Sequence, residues 1–216
     1  MAIGRAILRS PQLLLFDEPL ASLDAEGKSE ILHYLETLRD ELPAPSIYVT
    51  HSMDEVARVA DHMALVKEGR IIRAGSVGEM FTSLDSPLAL EEEAGAALDA
   101  VVTGHDDEYH LTTLKFAGGI MSVSRSGLAV GNRVRVRVIA SDVSLSLVKP
   151  ERTSVLNVFE AMVTGVAEKS LSQVIVGLDA GGAGLLARIT KKSSAALGIR
   201  PGVKVYALVK SVAVIT

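Results

Sequence analysis

The sequence predicts an α/β unit followed by a small β-barrel. Two apolar runs, Leu13–Phe16 and Ser46–Thr50, flank a segment of helical period, the strand-helix-strand order that a parallel sheet requires. Beyond residue 108 the texture changes to short Val-rich segments punctuated by Gly, which suits a barrel of many short strands. Charge divides the same way: residues 1–107 carry 8 Lys+Arg and 20 Asp+Glu, whereas residues 108–216 carry 14 and 6. Such a split points to two units with different partners.

Composition narrows the classes. Hydrophobic residues make up 48% of the 216 while aromatics make up 4% and Trp is absent, so the cores must be built from Val, Leu, Ile and Ala. The absence of Cys excludes disulfides and thiolate metal sites and fits a reducing compartment. No apolar run approaches the roughly 18–20 residues of a membrane span, and no signal-peptide pattern follows Met1. The expectation is a soluble, cytoplasmic protein.

Taken in order, Ile3, Ala6 and Ile7 place Ala2–Arg9 on a helix that Ser10 and Pro11 end. Leu13–Phe16 reads as a buried strand, and 19–24 as a turn-rich connection. Ile31, Leu32, Leu35 and Leu38 predict a helix over 25–42, closed by Pro43 and Pro45. A second buried strand, 46–50, ends at His51. A helix near 53–60, strands near 64–66 and 70–74 about Gly69, and a helix near 77–82 complete a first domain, 1–84. Residues 85–107, with Glu91, Glu92, Glu93 and an Ala-rich stretch, read as a partly helical connector. In the β region, 108–216, Arg133, Arg135 and Arg137 alternate with Val134, Val136 and Val138 as a half-buried strand with one basic face. Further strands are expected at 111–116, 143–148, 158–166, 173–178, 185–190 and 204–210, with a short helix at 193–197. A basic strand could track a nucleic-acid backbone, but the aromatics needed for base stacking are scarce, so no nucleic acid is expected.

The chemistry concentrates at one sheet edge. An apolar run ending in Asp17 and Glu18 delivers two carboxylates to the C-terminal end of a parallel strand. There Asp17 could hold Mg2+ through water and Glu18 could polarise an attacking water. Ser22, Leu23 and Asp24 follow at once, and His51 ends the second strand. An imidazole there can donate to a phosphoryl oxygen as it gains charge. The phosphate-cradling pattern Gly-x4-Gly-Lys-Ser/Thr occurs nowhere in the 216 residues.

This constellation resembles the ATP-binding subunits of ABC transporters, which are P-loop NTPases. Leu13–Glu18 resemble the Walker B strand, Ser22–Asp24 the D-loop, and His51 within Val49-Thr50-His51-Ser52 the switch histidine. Met53–Val56 and Asp61–Gly75 resemble the importer branch. The resemblance implies Glu18 as general base, Asp17 as Mg2+ partner, His51 as γ-phosphate sensor and Asp24 as a contact across an ATP-bound homodimer. It also implies that the phosphate loop, the Q-loop and the signature motif lie upstream of Ala2–Ala6, where the family usually has Val in place of Met1. An internal start or a broken gene is therefore expected, with weak MgATP binding by the polypeptide alone.

The β-rich part resembles the Mop/TOBE-type regulatory barrel, an OB-like fold appended to the ATPase of molybdate importers, with the unit at 153–216. Ser154-Val155-Leu156-Asn157, Leu186–Thr190, Lys191-Lys192-Ser193, Gly198–Gly202 and Val205–Lys210 carry the likeness. A tetrahedral dianion needs hydroxyl and backbone donors with a cation, and Ser154, Lys191, Lys192 and Ser193 supply such groups. Oxyanion-binding members often carry a basic residue where this chain has Leu156. The two resemblances together imply the ATPase subunit of a molybdate importer, with ATP and Mg2+ as cofactors, molybdate or tungstate as a regulatory ligand, and a membrane permease as partner at the inner face of the cell membrane. The alternative is a stand-alone molybdate- or tungstate-binding regulatory protein that dimerises through its barrel.

Overall fold

A computed structural model describes residues 11–41 and 44–215; the expected helix at 2–9 lies outside the described residues. The chain forms two compact units, one running through Asp61 and the other His62–Ile215.

In the first unit, β1 (Leu14–Asp17) and β2 (Ser46–Val49) pair in parallel, with Leu14 opposite Ser46 and Asp17 opposite Val49. The connecting helix α1 (Ala25–Glu41) matches the periodicity that predicted it. Leu14 and Phe16 pack with Leu35, Ile31, Tyr48 and Val59. The strands are not buried on both faces as expected. Leu15 is 70% exposed, and Ile47 and Val49 are also exposed, because this cluster lies on one face of the pair only. Helix α2 (Met53–Val59) follows His51, its N-terminus capped by Ser52.

The second unit opens with the hairpin β3 (His62–Lys67) and β4 (Arg70–Ser76), whose turn places Glu68 and Gly69 at positive φ, where Gly is free of steric cost. Helix α3 (Val77–Thr82) then buries Val77, Met80 and Phe81. Residues 85–107 are not a partly helical connector. A short 3-10 turn, Pro87–Leu90, leads into β5 (Gly95–Asp106), twelve residues long and central in its sheet. Ala96, Leu98, Ala100 and Val102 alternate into the core, and that packing overrides the low strand propensity of an Ala-rich run.

Two five-stranded antiparallel sheets follow one plan. The first holds β5, β6 (Leu111–Phe116), β7 (Gly119–Ser124) and β8 (Arg133–Ile139). The second holds β10 (Asn157–Glu168), β11 (Gln173–Ala180), β12 (Ala183–Thr190) and β13 (Lys204–Val209). Each sheet is completed by a strand from the other half: β9 (Val143–Ser146) pairs with β13, and β14 (Ala213–Ile215) pairs with β8. The long strands β5 and β10 each carry a register shift, between Val102 and Gly104 and between Val163 and Gly165, which bends a strand and lets a sheet curl. Helix α4 (Lys191–Ala196) lies between β12 and β13.

One core spans both sheets. Phe116 of β6 meets Phe159 of β10 edge to face, with ring centroids 5.0 Å apart. Asn157 adds a polar clip. Its side chain is buried, accepts from Ser122 N–H at 2.7 Å and donates to Ser122 O at 2.9 Å. The expected basic face of β8 is corrected at Arg137, which is 4% exposed and lies over the Phe81 ring while donating to Glu93 O at 2.8 Å. Arg135 is paired with Asp99 at 3.0 Å. Among the described residues no helix is long and apolar enough to cross a membrane.

Candidate functional site

The parallel pairing of β1 and β2 brings the predicted nucleotide-side residues to one edge. Glu18 N–H donates to Val49 O at 2.9 Å, so the ladder runs one residue past β1. Glu18 then turns away at φ 43°, a left-handed conformation costly for a non-Gly residue and worth attention at a sheet end. Its Oε1 lies 2.8 Å from His51 Nδ1. An ionised carboxylate only accepts, so a hydrogen bond in this pair takes the tautomer with a proton on Nδ1. The pair is open to solvent, the His51 side chain being 83% exposed.

The chain on either side of His51 is held by a hydrogen-bond network centred on Glu55. Glu55 is a buried carboxylate, and its Oε2 accepts from Tyr48 OH at 2.9 Å and Thr50 Oγ1 at 2.8 Å. Thr50 Oγ1 in turn accepts from Ser52 N–H at 3.1 Å, and Ser52 Oγ accepts from Glu55 N–H at 3.3 Å. Both chain neighbours of His51 are thus tied to the first turn of α2. Burial, followed by the hydrogen bond to Glu55, pushes the Tyr48 phenol well above its ordinary value. In the sequence Glu55 stands within the Met53–Val56 stretch that carries the resemblance, but nothing there signals its burial.

Asp17 is the last residue of β1 and is exposed. Among the described residues no group of three or more His, Asp or Glu side chains could hold a metal. A single carboxylate suits Mg2+, which keeps most of its waters and takes substrate phosphate oxygens, so the donor chemistry at Asp17 fits that ion. Asp24 is exposed and caps α1, its Oδ1 accepting from Gly27 N–H at 2.9 Å.

In the second unit, Lys191, Lys192 and Ser193 form the first turn of α4. Thr190 Oγ1 accepts from Ser193 N–H at 3.0 Å and lies 2.8 Å from Ser193 Oγ, while Lys191 Nζ pairs with Glu168 at 3.0 Å. Lys192 is exposed. Ser154 is also exposed, in the segment before β10, and forms no hydrogen bond with any of these three among the described residues. An open depression of about 390 Å3 beside α4 is lined by Glu168, Lys191, Ser194 and Arg200, among others.

A strand-end carboxylate and histidine on a parallel pair make up the α/β unit, and a strand-exchanged double sheet makes up the second unit. Residues 153–216 match the TOBE domain family. Over 215 residues the chain is 48% identical to the molybdenum import ATP-binding protein ModC of Albidiferax ferrireducens, a match covering 100% of this chain and 58% of that protein. The ModC of Methylococcus capsulatus is 49% identical over 214 residues, 99% of this chain and 60% of the relative. The chain is thus similar in sequence to molybdenum import ATP-binding proteins, and it spans about three fifths of the length of the curated relatives it matches. Among solved structures, the cytoplasmic molybdate-binding protein ModG is similar to 55% of this chain, and that similarity spans 92% of ModG, with 23% identity and a TM-score of 0.49.

Proposed function

We propose that the chain supplies the hydrolytic edge and the regulatory barrel of the ATP-binding subunit of a molybdate importer. The observation that carries this reading is the Glu18–His51 pair, 2.8 Å apart at the ends of two parallel strands and one residue beyond Asp17. In this reading Glu18 takes the proton of the attacking water and Asp17 holds Mg2+, which neutralises charge on the phosphates. Since Nδ1–H faces Glu18, His51 can donate to a phosphoryl oxygen through Nε2 only when its ring carries both protons. Asp24 meets the second subunit of a homodimer, the membrane partner is a permease, and the subunit works at the inner face of the membrane.

The 216 residues contain no Gly-x4-Gly-Lys-Ser/Thr run, so the polypeptide by itself lacks the amide cradle and Lys that hold a triphosphate. Calorimetry with MgATP tests this. The expected result is no binding tighter than about millimolar, which is worth about 4 kcal/mol; submillimolar affinity would overturn it.

A second reading is a stand-alone oxyanion-binding protein. It is favoured by the cation- and hydroxyl-bearing turn Thr190–Ser193 and by a β unit that carries a continuous core of its own. Molybdate or tungstate bound at Ser154, Lys191, Lys192 and Ser193 would raise the melting temperature by mass action. No shift at millimolar molybdate would remove that site from both readings.

A further inference from the structure

We infer that Lys169 and Arg188 form an oxyanion site separate from Ser154 and Lys191–Ser193, and that the Glu92 carboxylate occupies it as a built-in competitor. The geometry is that of an anion in a cradle. Arg188 Nη1 donates to Glu92 Oε2 at 2.6 Å, and Lys169 Nζ donates to Glu92 Oε1 at 2.8 Å, so each carboxylate oxygen has its own cation. The two sides of this contact are built differently. The side chains of Lys169 and Arg188 are 8% and 9% exposed, whereas that of Glu92 is 80% exposed. The cations belong to the barrel and the carboxylate lies against them from solvent.

Three further observations point to a ligand with more oxygens than a carboxylate. Each carboxylate oxygen of Glu92 meets its own cation, so an oxyanion that displaces it would meet both. Among the described residues Arg188 Nε is buried without a hydrogen-bond partner, which leaves an N–H donor on the same guanidinium for a further oxygen. The remaining donors already fix the cradle: Arg188 Nη2 reaches Glu91 O at 3.2 Å and also Glu92 O, and Lys169 Nζ reaches Leu90 O at 2.7 Å. Hydrogen bonding from Lys169 and the charge of Arg188 hold the Glu92 carboxyl below its ordinary range, in keeping with an anion favoured at this position. Glu92 stands three residues before β5, as Ser154 stands three residues before β10, so the carboxylate occupies a counterpart of the other candidate oxyanion segment.

The ligand class is a tetrahedral dianion of the sulfate, hydrogen phosphate or molybdate type. Its binding releases Glu92 to solvent, which couples occupancy to the segment leading into the central strand β5. This inference stands apart from the nucleotide reading and from the Ser154 and Lys191–Ser193 site.

The test uses the full chain at constant ionic strength, with sodium molybdate and sodium sulfate as probes and chloride as control, reading melting temperature and amide chemical shifts. Glu92→Gln, which removes the competing charge, is expected to bind the dianions at least tenfold more tightly than the unmodified chain. Adding Arg188→Met or Lys169→Met to Glu92→Gln is expected to abolish that gain; whichever double variant remains folded serves. The gain is expected to persist in Glu92→Gln combined with Lys192→Ala and Ser193→Ala. Equal affinity in Glu92→Gln and the unmodified chain would overturn the inference. So would a gain that survives in the folded double variant lacking Arg188 or Lys169, or one that disappears with Lys192 and Ser193.

Discussion

Replacing Asn157 with Leu should uncouple the two sheets of the second unit. The buried amide of Asn157 serves both backbone groups of Ser122, at 2.7 Å and 2.9 Å, and so ties the start of β10 to β7. Leu preserves bulk and removes both partners. Each stranded backbone group costs about 1–3 kcal/mol when water cannot replace the bond. Ser122 is half-buried, so water recovers part of that loss and the expected destabilisation is about 2–4 kcal/mol. For a unit of this size that corresponds to a fall in melting temperature of roughly 5–15 °C. Urea unfolding followed by both far-UV circular dichroism and near-UV absorbance checks it, since two probes reveal whether the sheets still melt together. Asn157→Asp should be at least as damaging, because it sets a carboxylate oxygen against Ser122 O. A change below about 0.5 kcal/mol for Asn157→Leu would refute the clip and leave the hydrophobic core as the sole tie between the sheets.

Gly95→Ala should destabilise by about 1–3 kcal/mol or prevent folding, because an added Cβ runs into Val138 O of the adjoining strand; thermal unfolding measures it. Glu55→Ala should cost about 2–4 kcal/mol by stranding the Tyr48 and Thr50 hydroxyls. It should also move the Tyr48 phenol down toward its ordinary value in a spectrophotometric titration, since Glu55 is one of the groups that raise it. Glu92 has a depressed carboxyl pKa in the folded chain, so its stabilising effect is complete above the ordinary carboxylate value near ~4.3 and is lost as pH falls through the folded value. Urea midpoints of Glu92→Gln and the unmodified chain should therefore differ at pH ~7 and converge as the pH is lowered through the folded carboxyl value.

Elements whose signal is local were legible in the sequence. The apolar run before Asp17, the Ile31–Leu35 periodicity and the Pro pair after α1 each act over a few residues, and β1, β2 and α1 follow them closely. Strand β5 was not legible, since Ala96, Ala97 and Ala100 favour a helix in isolation and become strand only between β6 and β8. Arg137 looked like part of a solvated basic face, but Phe81 and the Glu93 carbonyl cover it from segments far away in sequence. Both exposed faces of β1 and β2 depart from the expected burial for a comparable reason: a run of Leu and Ile states that a strand is apolar, not which layers lie against it.

The candidate sites divide along the same line. Asp17, Glu18 and His51 could be read because strand ends in a parallel pair converge by geometry. The Glu92 cradle joins residues 96 positions apart, and no spacing rule anticipates it. Glu55 sits in a helix N-terminus, where an acidic residue serves the dipole; its burial against Tyr48 and Thr50 emerges only from the packing of α2.

The central claim is that Glu18 is the hydrolytic carboxylate. Its most direct test joins this chain to the portion of the Albidiferax ferrireducens relative that lies outside the 215-residue match and measures steady-state ATP turnover. The account predicts hydrolysis by the joined protein and a fall in kcat of about 10²–10⁴-fold in Glu18→Gln, the range expected for loss of a general base, with MgATP binding retained. Unchanged turnover in Glu18→Gln would contradict it.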